Sequence, residues 1–353
     1  MSSFLKSLIK DVGNEYSILA KDIQEDERYV STGSYIFNAL VSGSIYGGLS
    51  GNKITAIAGE SSTGKTFFAL AVVRNFMDTH PDGIVVYFDT ESAITRSLLE
   101  ERHIDTSRFV VMNVVTIEEF RVKALQSVDK YMKQDKAERQ PMMFVLDSLG
   151  MLSTEKEIGD ALIDKQVKDM TRSQLVKGAF RMLTLKLGQA NVPLIVTNHT
   201  YDVIGAYVPT KEMGGGSGLK YAASSIIFLS KKKEKDGKEV IGNIIRAKTA
   251  KSRLSKENQQ VEVRLYYDER GLDTYYGLLE LGEAGGLWKN VAGRYEIHGK
   301  KIYAKAILAD PEQYFTPEVL DQLDAAAKRI YSYGGGDRIL DVGVPESGEE
   351  GSN

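Results

Sequence analysis

Apolar and polar positions alternate in blocks along most of this chain. Short apolar runs at 53–58, 84–89, 110–115, 142–147, 194–198, 226–230, 241–247 and 261–267 read as strands. Segments with helical spacing fall at 65–78, 117–133, 160–189 and 219–224. That succession predicts an α/β fold: a mainly parallel, twisted sheet flanked by helices, with antiparallel strands towards its end. In such a sheet ligands collect at the carboxyl ends of the strands, so the chemistry is expected there.

Three segments lie outside the core expected at 31–273. Within residues 1–30, Phe4, Leu5, Leu8, Ile9 and Val12 share one face of a short helix that precedes the turn-rich Ser31-Thr32-Gly33-Ser34. Such a face docks either on its own core or on a neighbouring subunit, which would make 1–30 an oligomerisation segment. Residues 274–333 mix short strands (Arg294–Ile297 and Lys301–Ala304) with a helix around Pro317–Ile330, as a small α+β C-terminal domain would. From 334 to 353, Asp337, Asp341, Glu346, Glu349 and Glu350 outweigh Arg338, the composition of an acidic, disordered tail.

The 353 residues contain no cysteine, which excludes a disulfide framework, cysteine-ligated zinc and thiol catalysis. No signal-peptide pattern opens the chain, and no apolar run approaches the ~18 residues of a spanning helix. The expected location is therefore the cytoplasm, without a membrane partner. A net charge of −3 argues against a general nucleic-acid coat but leaves room for local basic patches.

The candidate chemistry centres on Gly59-Glu60-Ser61-Ser62-Thr63-Gly64-Lys65-Thr66, which matches G-x-x-x-x-G-K-[ST] between a strand and a helix. This P-loop pattern cradles phosphates with backbone N–H groups and the helix dipole. Lys65 reaches the β/γ-phosphates of a nucleoside triphosphate, and the Thr66 hydroxyl takes Mg²⁺. The apolar strand Met142–Leu146 ends in Asp147, positioned to hold the Mg²⁺ shell beside Thr66. The strand at 84–88 runs into Asp89-Thr90-Glu91, and Glu91 is assigned as the carboxylate that orients the attacking water, against the plainer reading of a solvated loop acid.

A third strand ends in Asn198-His199. His199 fits either a γ-phosphate sensor or a packing and capping residue. Residues 200–218 follow with Gly205, Gly214, Gly215, Gly216, Gly218 and Lys211, and read as a flexible, nucleotide-gated binding loop. A second candidate loop spans Glu155–Lys165, ahead of a charged helix face with Lys165, Lys168 and Arg172. The stretch 231–256 is basic. Its Lys231–Lys238 part reads as a solvated hairpin around Asp236-Gly237, while Lys251 and Arg253 fit cationic fingers on a neighbour's γ-phosphate, phosphate steering or surface charge equally well.

Taken together these stretches resemble RecA-type recombinases, and most closely the UvsX-like group of large tailed bacteriophages. RecA-like signatures are STGS (31–34), GESSTGKT (59–66), FDTES (88–92), VLDS (145–148), EIGD (157–160) and LKYAAS (219–224). UvsX-like ones are DSLG (147–150), DMTR (169–172), NHTY (198–201) and MGGGSG (213–218). The resemblance spans about 30–275 and implies a RecA-like P-loop ATPase core that forms helical filaments of itself on single-stranded DNA. It would pair that strand with homologous duplex DNA and exchange strands, in recombination, repair and recombination-dependent replication, using ATP and Mg²⁺. It further implies a mediator protein, a single-strand-binding protein and a helicase as partners, in the cytoplasm of a host cell if the chain is phage-encoded.

Carried over by position, the resemblance gives Lys65, Thr66 and Asp147 nucleotide and Mg²⁺ roles, Glu91 the catalytic role, and His199 the switch to the second DNA loop. Ile163 and Ile204 fall where apolar wedges enter between base triplets. Lys168, Arg172, Lys211, Gly214, Gly215 and Gly216 belong to the DNA loops. Lys251 and Arg253 resemble cations that cross the subunit interface, and Tyr221 an aromatic that packs at it. In one departure, Leu98 lies where the family commonly puts a Tyr on adenine. Rival readings are a ring-forming RecA-fold motor or helicase, a P-loop ATPase acting as a loader, and a small-molecule kinase. A GTPase is disfavoured because Thr197-Asn198-His199-Thr200 lacks the Asp of a guanine-reading NKxD.

Overall fold

The computed structural model describes residues 3–13, 17, 19–22, 29–164, 170–202, 211–214, 217–236, 239–297 and 299–334. An N-terminal helix α1 (Ser3–Val12) leads to the short pair β1 (Tyr29–Val30) and β2 (Leu49–Ser50), which bracket α2 (Tyr35–Ser42). The core then alternates: β3 (Ile54–Gly59), α3 (Lys65–Thr79), β4 (Ile84–Asp89), α4 (Arg96–Glu100), β5 (Phe109–Asn113), α5 (Ile117–Met132) and β6 (Met142–Asp147). It continues through α6 (Glu155–Leu162), α7 (Arg172–Ala190), β7 (Leu194–Asp202), β8 (Lys211–Met213), α8 (Ser217–Ala222), β9 (Ser225–Asp236), β10 (Glu239–Ser252) and β11 (Gln260–Tyr266).

One sheet runs in the order β11-β10-β9-β3-β7-β6-β4-β5, with β8 paired to β7. From β9 to β5 every pairing is parallel, and β10 and β11 add antiparallel strands at one edge. Helices cover both faces, so the central strands β3 and β6 are buried at every position and alternate residues feed two separate cores. Ile57, Val85, Tyr87, Val145 and Ile195 face one layer with Phe68 and Val72 of α3. Ala56, Val86, Phe88, Phe144 and Val196 face the other with Phe120 of α5 and Phe180 of α7.

After the core come α9 (Leu278–Ala284), the three-stranded sheet β12 (Asn290–Val291), β13 (Arg294–Ile297) and β14 (Lys300–Tyr303), and helices α10 (Ala304–Ala309), α11 (Pro311–Tyr314) and α12 (Pro317–Tyr331). This unit is tied back to the core. The buried Asp324 accepts from the Ile45 amide at 2.9 Å and the Ser44 hydroxyl at 2.5 Å. The acidic tail expected beyond residue 334 lies outside the described residues.

Two expectations need correction. The helix expected at 160–189 is two helices, α6 and α7, and Glu155–Lys165 is mostly α6 rather than loop. A capping box starts α6: the Thr154 side chain accepts from the Glu157 amide, and the Glu157 carboxylate accepts from the Thr154 amide. Thr154-x-x-Glu157 is a sequence-level start signal for a helix that begins at Glu155. The loop expected at 200–218 is also not wholly irregular, because β7 and β8 pair antiparallel from Thr200↔Met213 to Asp202↔Lys211 at its base. In α1, Phe4 is 68% exposed and Val12 77%, so the apolar face does not pack on its own core.

Candidate active site

The P-loop follows from its two ends. β3 is buried and ends at Gly59, and α3 begins at Lys65 behind an N-cap, Gly64, in the left-handed region at φ 89°. A side chain there would be strained, and a Cβ would come within 3.3 Å of Leu265, so only glycine lets the loop close onto the helix start. Within the loop, the Thr63 hydroxyl donates to the Glu60 carbonyl at 2.9 Å. The Lys65 ammonium donates to the carbonyls of Gly59 (3.2 Å) and Glu60 (2.9 Å), curled back under the loop. Burial holds the Lys65 pKa below its ordinary value, partly offset by Asp147 and Glu91.

Opposite the loop stand the carboxylates. Asp147, at the end of β6, accepts hydrogen bonds from the Thr66 hydroxyl (2.6 Å), the Tyr87 hydroxyl (2.7 Å) and the Thr197 hydroxyl. Burial, reinforced by Asp147, drives the Tyr87 phenol well above its ordinary pKa, so it stays a donor. Asp89, in register with Asp147, accepts the backbone amides of Glu91, Ala93 and Ile94 and so fixes the turn that presents Glu91. One oxygen of Glu91 accepts from the Ser148 hydroxyl at 3.0 Å and lies 3.7 Å from His199 Nε2.

P-loop and carboxylates share one cleft of about 660 Å³, lined by Ser61, Ser62, Gly64, Lys65, Thr66, Glu91, Asp147 and His199. Phe67, Lys231, Asn243 and Tyr267 line it too, and none of the four stood out in the sequence. Lys231, expected on a solvated hairpin, donates to the Ser62 carbonyl. The sheet order brings it there: Leu229 on β9 pairs with Gly59, so Lys231 lies two residues beyond the P-loop's own start. Phe67 and Tyr267 have ring centroids 5.8 Å apart, and Arg102 stacks over Phe67 at 4.4 Å. These rings furnish an aromatic wall although Leu98 is half-buried against the core instead.

The residues that the resemblance assigns to DNA loops are described unevenly. His199 pairs in register with Gly59, and its carbonyl accepts from the Gly214 amide at 3.0 Å, while the Asn198 side chain donates to the Gly214 carbonyl at 2.7 Å. Lys211 forms an ion pair with Glu60 of the P-loop, which lowers the Glu60 pKa. Ile163 ends α6 and is 71% exposed. Arg172 starts α7 with its guanidinium on the carbonyls of Leu152 and Gly150 and 3.5 Å from Glu157. Lys168, Ile204, Gly215 and Gly216 lie outside the described residues.

Lys251 and Arg253 are not brought to this cleft. Lys251 pairs with Ile226 at the start of β9, which in turn pairs with Ala56, three residues before the Leu229–Gly59 pairing along β3. At ~3.3 Å per residue that is roughly 10 Å along the strands, with β9 lying between β10 and β3. The Lys251 ammonium donates instead to the carbonyls of Lys220 (2.7 Å) and Tyr221 (3.3 Å).

A buried lysine, a glycine-capped helix start and a hydroxyl–carboxylate pair in one cleft form a site built for phosphates. Compared with known proteins, residues 1–273 match the RecA N-terminal domain. The chain belongs to the RecA family. It is 31% identical over 298 residues to the recombination and repair protein of Enterobacteria phage T4, covering 84% of this chain and 74% of that one. It is also 27% identical over 353 residues to protein RecA of Sinorhizobium medicae, covering 97% and 91%, and 28% over 311 residues to protein RecA of Paracoccus denitrificans, covering 86% and 80%. Membership of this family supports nucleotide binding, and the cleft is the candidate site for it. Among the described residues no helix is long and apolar enough to cross a membrane.

Proposed function

We propose that this chain is an ATP-dependent DNA recombinase that assembles on single-stranded DNA, pairs it with homologous duplex and exchanges strands. The observation that carries this reading is the position of His199. It stands beside Gly59 of the P-loop, 3.7 Å from Glu91, and its carbonyl holds Gly214 at the base of the second loop. One residue thus touches the catalytic carboxylate and the loop assigned to DNA.

The donor set suits ATP with Mg²⁺: a hard cation takes oxygen ligands, commonly a hydroxyl and one carboxylate with phosphate oxygens and water. Thr66 and Asp147, 2.6 Å apart, would hold the ion, which neutralises phosphate charge when bound. Lys65 turns from the Gly59 and Glu60 carbonyls to the phosphates, and Lys231 adds a second charge from the same subunit. Glu91, steadied by Ser148, orients the attacking water. Leaving phosphate changes what His199 meets, and Gly214 follows. For ATP to govern DNA binding it must favour that loop arrangement by a few kcal/mol, about 5.5 for a swing from 1:99 to 99:1.

Lys251 and Arg253 lie too far from their own P-loop to serve it, which supports a role on the cleft of a neighbouring copy. The exposed apolar face of α1 and the exposed Tyr221 supply surface for such a neighbour. Phe67 and Tyr267 take the base side. Mediator, single-strand-binding protein and helicase would act from outside this chain. The test is ATP hydrolysis with and without single-stranded DNA, with Lys65→Ala as the blank. DNA stimulation absent in the blank supports the recombinase and leads to strand-exchange assays; a rate indifferent to DNA overturns it.

A further inference from the structure

Asn243 is the feature of the cleft that its phosphate chemistry leaves unexplained. It lies on β10, 1% exposed, among the residues that line the nucleotide cleft. Neither its amide nitrogen nor its amide oxygen has a hydrogen-bond partner among the described residues. Buried side-chain amides are almost always paired, because an unmade hydrogen bond costs stability that the empty protein does not recover. On the sheet its neighbours towards β11 are apolar: Leu265 pairs with it in register, and Ile245, two residues on, is fully buried. The amide nitrogen lies 3.7 Å from where a Cβ would stand on Gly64, so the group sits against the P-loop itself. Tyr267 follows Tyr266, the register partner of Gly242, and continues the same wall.

We infer that Asn243 reads the nucleoside half of the bound nucleotide, donating with its nitrogen and accepting with its oxygen. The assignment rests on the nucleotide reading of the cleft. A phosphate oxygen only accepts and would leave the amide oxygen unpaired. A partner that satisfies both atoms must present a donor beside an acceptor, as a ribose hydroxyl or the 6-amino and ring-nitrogen edge of adenine does. Asn243 would then set which nucleoside triphosphate the cleft accepts, while Lys65 and Lys231 hold the phosphates common to all of them. A site built to pair with a polar edge rejects analogues lacking it, because its own buried groups are then left unpaired.

The test is nucleotide affinity of wild type, Asn243→Leu and Asn243→Ala, by equilibrium binding of ATP, 2′-deoxy-ATP and purine riboside triphosphate, which lacks the 6-amino group. Leucine keeps the volume and removes both polar atoms; alanine serves if leucine does not fold. The expected result is ATP binding about tenfold weaker in the variants, the equivalent of ~1.4 kcal/mol. Whichever analogue wild type penalises should be penalised no further in the variants, since the contact is already gone. That analogue distinguishes sugar from base. The nucleotide-free Asn243→Leu protein should also melt at the same temperature as wild type or higher, because an unpaired amide has left the core, whereas a structural asparagine would lower it. Unchanged ATP affinity and unchanged discrimination would overturn the assignment, whatever the melting temperature. If wild type binds no ATP that Lys65→Ala abolishes, the nucleotide reading fails and Asn243 falls with it; intact wild-type binding with indifferent Asn243 variants refutes Asn243 alone.

Discussion

The two loop regions assigned to DNA are anchored differently. The second leaves β7 one strand over from the P-loop and is held at its base by His199 and Asn198, both bonded to Gly214. The first leaves α6 and returns through Arg172, whose guanidinium is spent on the carbonyls of Leu152 and Gly150. Neither Ile163 nor Arg172 lines the nucleotide cleft, whereas His199 does. Two segments with one destination therefore have different masters. The second can follow the state of the nucleotide, and the first is held by the fold.

The strongest way to sharpen that contrast is Glu91→Gln. It keeps the shape and removes the charge, so steady-state ATP turnover should fall by about 10²–10³-fold while ATP affinity stays near wild type. Next is His199→Ala. Basal hydrolysis should remain within a few-fold, but stimulation by single-stranded DNA should be lost, and a variant that keeps full stimulation would break the link to the second loop. Arg172→Ala should do the opposite. Its loss leaves carbonyls unpaired and should cost about 1–3 kcal/mol in chemical denaturation, with the ATP response of DNA binding preserved. Thr154→Ala removes the cap of α6 and should cost about 1 kcal/mol by the same measurement.

The smallest expected effect concerns pH. Burial lowers the Lys65 pKa in the free protein, and bound phosphate favours the charged form, so binding is linked to protonation. Nucleotide affinity should be level below the lowered value and fall as pH rises through it, beginning short of the ordinary 10.5. A titration by equilibrium binding that stays level up to 10.5 would contradict this.

Elements with strong period and clear ends were legible in the sequence. Strands 84–89 and 142–147 and the helix starting at Lys65 stand where the apolar runs put them. The start of α6 is marked by the Thr154–Glu157 capping box, a local signal lying ahead of the helix expected from residue 160. At the site, Lys65 and Thr66 open a helix, Asp147 ends a strand, Glu91 follows one and His199 pairs with the end of β3, positions that a parallel sheet brings to one edge by its topology alone. Lys231, Asn243 and Tyr267 reach the same cleft only because β9 lies beside β3 and β10 and β11 turn back against it. Nothing local in their sequence marks that order, and Lys231 sits among other lysines that look the same.

If Lys251 and Arg253 serve a neighbour's cleft, as proposed, their remoteness from their own P-loop makes the ends of an assembly unlike its middle. In a row of n copies joined head to tail, n − 1 clefts would then receive a neighbour's cations and one would not. One terminus then displays an open cleft and the other an idle pair of positive charges, so the row has a direction before any DNA is bound. Turnover per copy should then climb with row length and level off, since each addition would complete one more cleft. Growth and loss at the two termini become separate reactions, and only one of them exposes bound nucleotide.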